Sequence, residues 1–264
     1  MISINLHGKI ALVTASSRGI GKGIARILSI SNSKVIIVSR SYEHLAKTSK
    51  EISEESGNEV YPIAADLRDI SSLKKLVREI RDNFNYIDIL VFNTGGPKPG
   101  YFDSLNMEDW QDAVNLLLYP AIFLTRQFMD WMKRKRWGRI IYSTSVAIKE
   151  PIPGLALSNV VRISMAGLVR TLAKELGEYG ITVNGIMPGY IATERIKEIA
   201  RRRAEESGGS VEDVILNMSK DIPAKRMGLP EEVGYLVAFL ASDYASYING
   251  AMIPIDGGLL NSSL

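Results

Sequence analysis

Three side chains near the middle of this 264-residue chain have the types and spacing to do chemistry together. Ser145 follows a short apolar run at 139–143, Ser158 lies thirteen residues further on, and Arg162 comes four after that. A hydroxyl at the end of a buried parallel strand faces the crevice where ligands bind in open α/β sheets. Past the Pro- and Gly-bearing loop that ends at Gly154, a helix is expected, which puts Ser158 and Arg162 on one face. Two hydroxyls and a fixed cation thus converge on one pocket, and what they do there depends on what else binds.

The elements that must position these groups follow from hydrophobic patterning. Short apolar runs at 9–14, 35–39, 60–65, 87–92, 139–143, 182–187 and 252–255 read as strands. Between them lie helical stretches ending near 31, at 42–55, at 71–84, as one long run at 107–136, and at 160–176. Such alternation predicts a doubly wound, Rossmann-like α/β fold, with about seven parallel strands in a single domain over 1–264 and helices on both faces. The segment at about 193–222 breaks the rhythm with two charged helical pieces around Gly208 and Gly209, and reads as a helical lid. Its Ile196, Ile199, Val214, Ile215 and Met218 suggest an apolar substrate. The turn from Thr14 through Ala15, Ser16, Ser17, Arg18, Gly19 and Ile20 to Gly21 joins a strand to a helix, the arrangement that meets a pyrophosphate with backbone N–H groups and a helix dipole.

Composition narrows the classes. Cysteine is absent and the histidines are His7 and His44, so thiolate chemistry is excluded and no metal site is expected. A net charge of +3 gives no reason to expect a nucleic-acid partner. The opening residues lack a basic region and a small-residue cleavage site, and no uninterrupted apolar stretch is long enough for a membrane span, so a cytoplasmic protein is expected.

Taken in order, the motifs resemble those of the short-chain dehydrogenase/reductase family over nearly the whole chain. The 14–21 turn resembles the family's TGxxxGIG loop, Asp66-Leu67 its adenine-contacting Asp, and Asn93-Thr94-Gly95-Gly96 its NNAG turn. Asn115 stands at the family's helix Asn and Ser145 at its catalytic Ser. Pro188, Gly189, Ile191 and Thr193 match its nicotinamide-side loop. The resemblance implies hydride transfer between a carbonyl and an alcohol, and a homotetramer or homodimer. Ser39-Arg40-Ser41 at the end of the second strand offers no carboxylate for a ribose 2′-hydroxyl. Arg40 and Arg18 suit a 2′-phosphate instead, so NADP(H) is expected over NAD(H).

The family's Tyr-x-x-x-Lys pair is where this chain departs. Counting from Ser145 lands on Ser158 and Arg162, and residues 143–178 contain no tyrosine. A serine hydroxyl is a poorer acid than a phenol and arginine keeps its proton, but Arg162 is still expected to bind the cofactor's ribose hydroxyls and to present the lysine's positive charge to a developing alkoxide. Ser145 and Arg162 are expected to polarise the carbonyl while Asn115 holds a water, and Tyr119, Tyr142 and Tyr190 are further phenols near the pocket. The alternative is a catalytically weak or inactive dinucleotide-binding protein with a binding or regulatory role.

Overall fold

The computed structural model describes residues 3–262. In chain order the elements are β1 (Ile10–Thr14), α1 (Gly19–Ile30), β2 (Lys34–Ser39), α2 (Tyr42–Ser56), β3 (Val60–Ala64), α3 (Ile70–Phe84), β4 (Ile89–Phe92), α4 (Met107–Leu117), α5 (Tyr119–Lys135), β5 (Gly138–Ser143), α6 (Ala156–Arg162), α7 (Ser164–Leu176), β6 (Ile181–Pro188), α8 (Glu194–Ser207), α9 (Val211–Asp221), α10 (Pro230–Ala241) and β7 (Met252–Ile255). The strands form one sheet in the order β3-β2-β1-β4-β5-β6-β7, and every pairing is parallel. The order reverses between β1 and β4, which leaves a crevice at the strand C-termini.

Successive side chains of a strand point to opposite faces, and both faces here are buried. Leu12, Ile36, Leu90 and Ile140 pack with residues of α3, α4, α5 and α7 on one side. Their neighbours Val13, Ile37, Val91 and Ile141 pack with α1, α2 and α10 on the other. The near-continuous apolar strands are thus the signature of a sheet covered by helices twice over.

Two helical stretches expected to be continuous are broken. The run at 107–136 divides at Leu118, because Pro120 sits in the first turn of α5 and has no N–H to continue the ladder of α4. A second break at Ile163 separates α6 from α7. Beyond β6 the chain leaves the sheet, and a parallel bridge between Ile191 and Gly228 closes the base of the excursion that carries α8 and α9. Among the described residues no helix is long and apolar enough to cross a membrane.

Candidate active site

A cavity of about 760 Å³ lies along the C-terminal ends of the strands, lined from Ala15 after β1 to Ile199 on α8. At one end is the β1–α1 turn. Thr14 Oγ1 donates to the Asn93 carbonyl at 2.6 Å and accepts from the Asn93 N–H at 2.9 Å. Ser16 Oγ donates to the Val13 carbonyl and accepts from the Val38 N–H. Both hydroxyls are fully buried and neither residue lines the cavity. Gly21 does not line it either, since a Cβ there would stand 2.3 Å from the Ala15 carbonyl oxygen. These three residues, expected at the ligand, instead hold the turn against β2 and β4.

Ser17, Arg18, Gly19 and Ile20 do line the cavity. No side chain caps the N-terminus of α1, and its first turn holds no acidic residue, so its N–H groups are left for an anion. Ala15 takes φ +47°, the left-handed conformation that a glycine would adopt without penalty. The methyl group therefore does not prevent the turn from forming.

Around the end of β2 the lining consists of Ser39, Arg40, Ser41 and His44, with no carboxylate among them. Asp66 and Leu67 follow β3, and the Asp66 carboxylate accepts from the Arg68 N–H at 3.0 Å. Asn93, Thr94 and Gly95 continue the wall after β4, where Asn93 Nδ2 donates to the Ala15 carbonyl at 3.2 Å. Pro188, Gly189, Ile191 and Thr193 complete it on the far side. An uncapped helix start, a cationic corner and a carboxylate along one crevice fit a dinucleotide with an extra phosphate.

Ser145, Ser158 and Arg162 line the same cavity. Ser145, two residues beyond β5, caps the next short turn, its Oγ accepting from the Ala147 N–H at 3.1 Å, which leaves its own proton free to be donated. Ser158 is 8% exposed and lines the cavity, its hydroxyl making no side-chain hydrogen bond among the described residues. Arg162 Nη1 donates to the carbonyls of Ser143 and Thr144, and Nη2 to Thr94 Oγ1 and the Gly95 carbonyl, at 3.2–3.4 Å. Burial, and secondarily the like charge of Arg195, push its pKa down to about 10, so it stays charged at neutral pH. Its N–H groups are thus largely spent on the backbone while its charge remains at the cavity.

Other expected residues lie elsewhere. Asn115 is not part of the lining; its side-chain oxygen accepts from Gln111 on the surface of α4, while the next residue, Leu116, faces the cavity. Tyr142 is wholly buried against Thr125, and burial raises its pKa above the ordinary phenol range. Tyr119 is 57% exposed, and only Tyr190 of the three phenols lines the cavity. Of the apolar residues assigned to the excursion, Ile196 and Ile199 reach the cavity and Val214, Ile215 and Met218 do not. Sequence reasoning overlooked His44, Ile152, Leu155, Arg195 and Glu198 as lining residues. The helical spacing of Arg195, Glu198 and Ile199 was the signal available for the last two.

Fold and site together define a dinucleotide-binding α/β protein, and the chain belongs to the short-chain dehydrogenase/reductase family. Its matching branch is described as enoyl-(acyl carrier protein) reductase, over residues 14–260. The chain is 32% identical over 258 residues to the 3-oxoacyl-[acyl-carrier-protein] reductase FabG of Aquifex aeolicus, covering 98% of this chain and 100% of that protein. It is 35% identical to the oxidoreductase UcpA of Salmonella typhimurium, covering 96% and 95%. Among solved structures, L-sorbose reductase from Gluconobacter frateurii, complexed with NADPH and L-sorbose, superposes with a TM-score of 0.94 at 28% identity, covering 99% of this chain and 100% of that one. YwfH, an NADPH-dependent reductase involved in bacilysin biosynthesis, gives 0.91 at 29%, covering 96% and 99%.

Proposed function

We propose that this chain is an NADP(H)-dependent oxidoreductase that interconverts a small-molecule carbonyl and its alcohol. The observation that carries the reading is a single cavity joining the uncapped start of α1 to Ser145, Ser158 and Arg162. Reductases among its relatives, two of them with NADPH in their descriptions, support it. Ser17, Arg18, Gly19 and Ile20 would hold the pyrophosphate, and Arg40, with His44 beside it, the 2′-phosphate. Asp66 and Leu67 would hold the adenine, and Asn93, Thr94, Gly95, Pro188, Gly189, Ile191 and Thr193 the nicotinamide half. When bound, the cofactor supplies a hydride to the carbonyl carbon or accepts it back.

The chain's own part is to manage the oxygen. Ser145 and Ser158 donate hydrogen bonds to the carbonyl oxygen, and the Arg162 charge favours the alkoxide that forms there. The proton reaches the alkoxide from solvent through the Ser158 hydroxyl, which stands in for the family's phenol as Arg162 does for its lysine. The placement of Asn115 gives no support to a water held by its side chain. The excursion at 193–222 acts as a lid, held over the loop after β4 by Arg195, which donates to the Pro97 carbonyl at 3.0 Å. The protein works in the cytoplasm as a homotetramer or homodimer, for which the exposed Val160 on α6 and Ile163 between α6 and α7 offer apolar surface.

The second reading, a non-catalytic dinucleotide binder, is favoured by one observation: Arg162 spends four hydrogen bonds on its own fold. Fluorescence titration with NADPH and NADH, followed by NADPH oxidation against ketones, sugars and acyl thioesters, separates the two. Oxidation with at least one class supports the enzyme. Tight NADPH binding, no turnover, and a strong gain in Ser158→Tyr/Arg162→Lys would support the binder.

A further inference from the structure

A second cavity, of about 310 Å³, adjoins the first and shares Leu155, Arg195, Glu198 and Ile199 with it. One wall is a single face of α8, since residues 195, 198, 199, 202 and 203 follow helical spacing. The opposite wall is apolar or aromatic, formed by Pro99, Tyr101 and Pro153. Among the described residues, Arg195, Arg202 and Arg203 line the recess together with Glu198, whose carboxylate pairs with Arg195 at 3.2 Å.

The face is fixed in place by two of its own arginines. Arg195 Nη2 donates to the Pro97 carbonyl and Arg202 Nη1 to the Pro99 carbonyl at 2.8 Å, which seats α8 on the loop after β4. The Arg195 guanidinium lies against Gly96, where a Cβ would come within 2.7 Å of it. Arg203 is half-buried, and among the described residues no carboxylate lies within ion-pair distance of it. The Arg203 charge, set against low-dielectric walls, therefore favours an oxyanion seated beside it.

We propose that this recess is a subsite for a carboxylate at the far end of the substrate, with Arg203 as its principal contact. The inference rests on the reductase reading above and names its substrate class: a carbonyl compound whose apolar middle lies along Leu155 and Ile199 and whose anionic end lies on α8. It replaces the expectation of a wholly apolar substrate, since the apolar walls persist but lead to arginines.

The test is calorimetric titration of 5-oxohexanoate, 7-oxooctanoate and their methyl esters into the full chain, both saturated with NADPH and alone. The expected result is that the better-fitting acid binds about tenfold or more tightly than its ester. Arg203→Gln should bring that ratio close to one, and Arg203→Lys should keep most of it. Equal affinity of acids and esters, or a preference that survives Arg203→Gln, overturns the subsite. Failure of NADPH to bind would sink the reductase reading instead, and the titrations of the chain alone would still decide the subsite.

Discussion

The Arg162 guanidinium donates to the carbonyl oxygen of Gly95 across 3.2 Å, and so ties the end of α6 to the turn after β4. Its other bonds reach the carbonyls of Ser143 and Thr144, so one side chain spans the ends of two neighbouring strands. Arg162→Met leaves those carbonyls without their donor and should cost about 2–3 kcal/mol of stability. Urea unfolding of the two proteins checks this, and a midpoint equal to wild type would show that the tie carries no weight.

Ala15 stands at φ +47°, a conformation costing a non-glycine residue roughly 1–2 kcal/mol. Glycine there adds unfolded-state entropy that offsets part of the gain. Ala15→Gly should therefore stabilise the chain by about 0.5–1 kcal/mol. A lower thermal midpoint in this variant would count against it.

Arg40 lines the cavity corner without a carboxylate beside it. If it meets the 2′-phosphate, Arg40→Ala should weaken NADPH binding about 10- to 100-fold, the worth of a charge-assisted hydrogen bond, and leave NADH nearly unaffected. Parallel losses for both cofactors would remove Arg40 from the selection of NADP(H).

Glu232, in the first turn of α10, accepts from both terminal nitrogens of Arg226 and from the Leu229 N–H. These contacts, the Arg226 bonds foremost, lower its pKa from 4.5 to about 2. A folded-state pKa below the unfolded one adds stability above the unfolded value, and that stability is lost as pH falls from about 4.5 toward 2. Glu232→Gln should then cost about 1 kcal/mol at neutral pH, after allowance for the pair's exposure to solvent. The difference should shrink on acidification below pH 4.5, as followed by urea unfolding across the acid range. A difference independent of pH would assign the loss to packing.

Much of this was legible in the chain itself, for identifiable reasons. Strands such as 35–39 are apolar on both faces, and that pattern belongs to a doubly covered parallel sheet. The break before α5 was also written there, in Pro120, but the apolar periodicity on either side of it masks the missing N–H. Motif position alone did not separate residues that touch the cavity from those that build it. Thr14, Ser16 and Gly21 sit in the same turn as Ser17 to Ile20, yet they bond or pack backward into the sheet. The direction of a side chain at a strand end depends on which neighbours supply partners, and those neighbours are far away in sequence. Arg195 and Glu198 share a helical face with Ile199, but what that face covers is set only when the folded excursion brings α8 over the loop after β4.

On the proposed reading, the Ser145 proton is offered to a substrate oxygen within this cavity. The most direct measurement is NADPH oxidation by the wild-type protein and Ser145→Ala, with the same carbonyl panel and with cofactor affinity measured alongside. The account predicts turnover in the wild type and a loss of roughly 10²–10³ in kcat for the variant, at similar cofactor affinity. Equal turnover in the two proteins, or no oxidation with any carbonyl by a wild type that binds NADPH tightly, would contradict it.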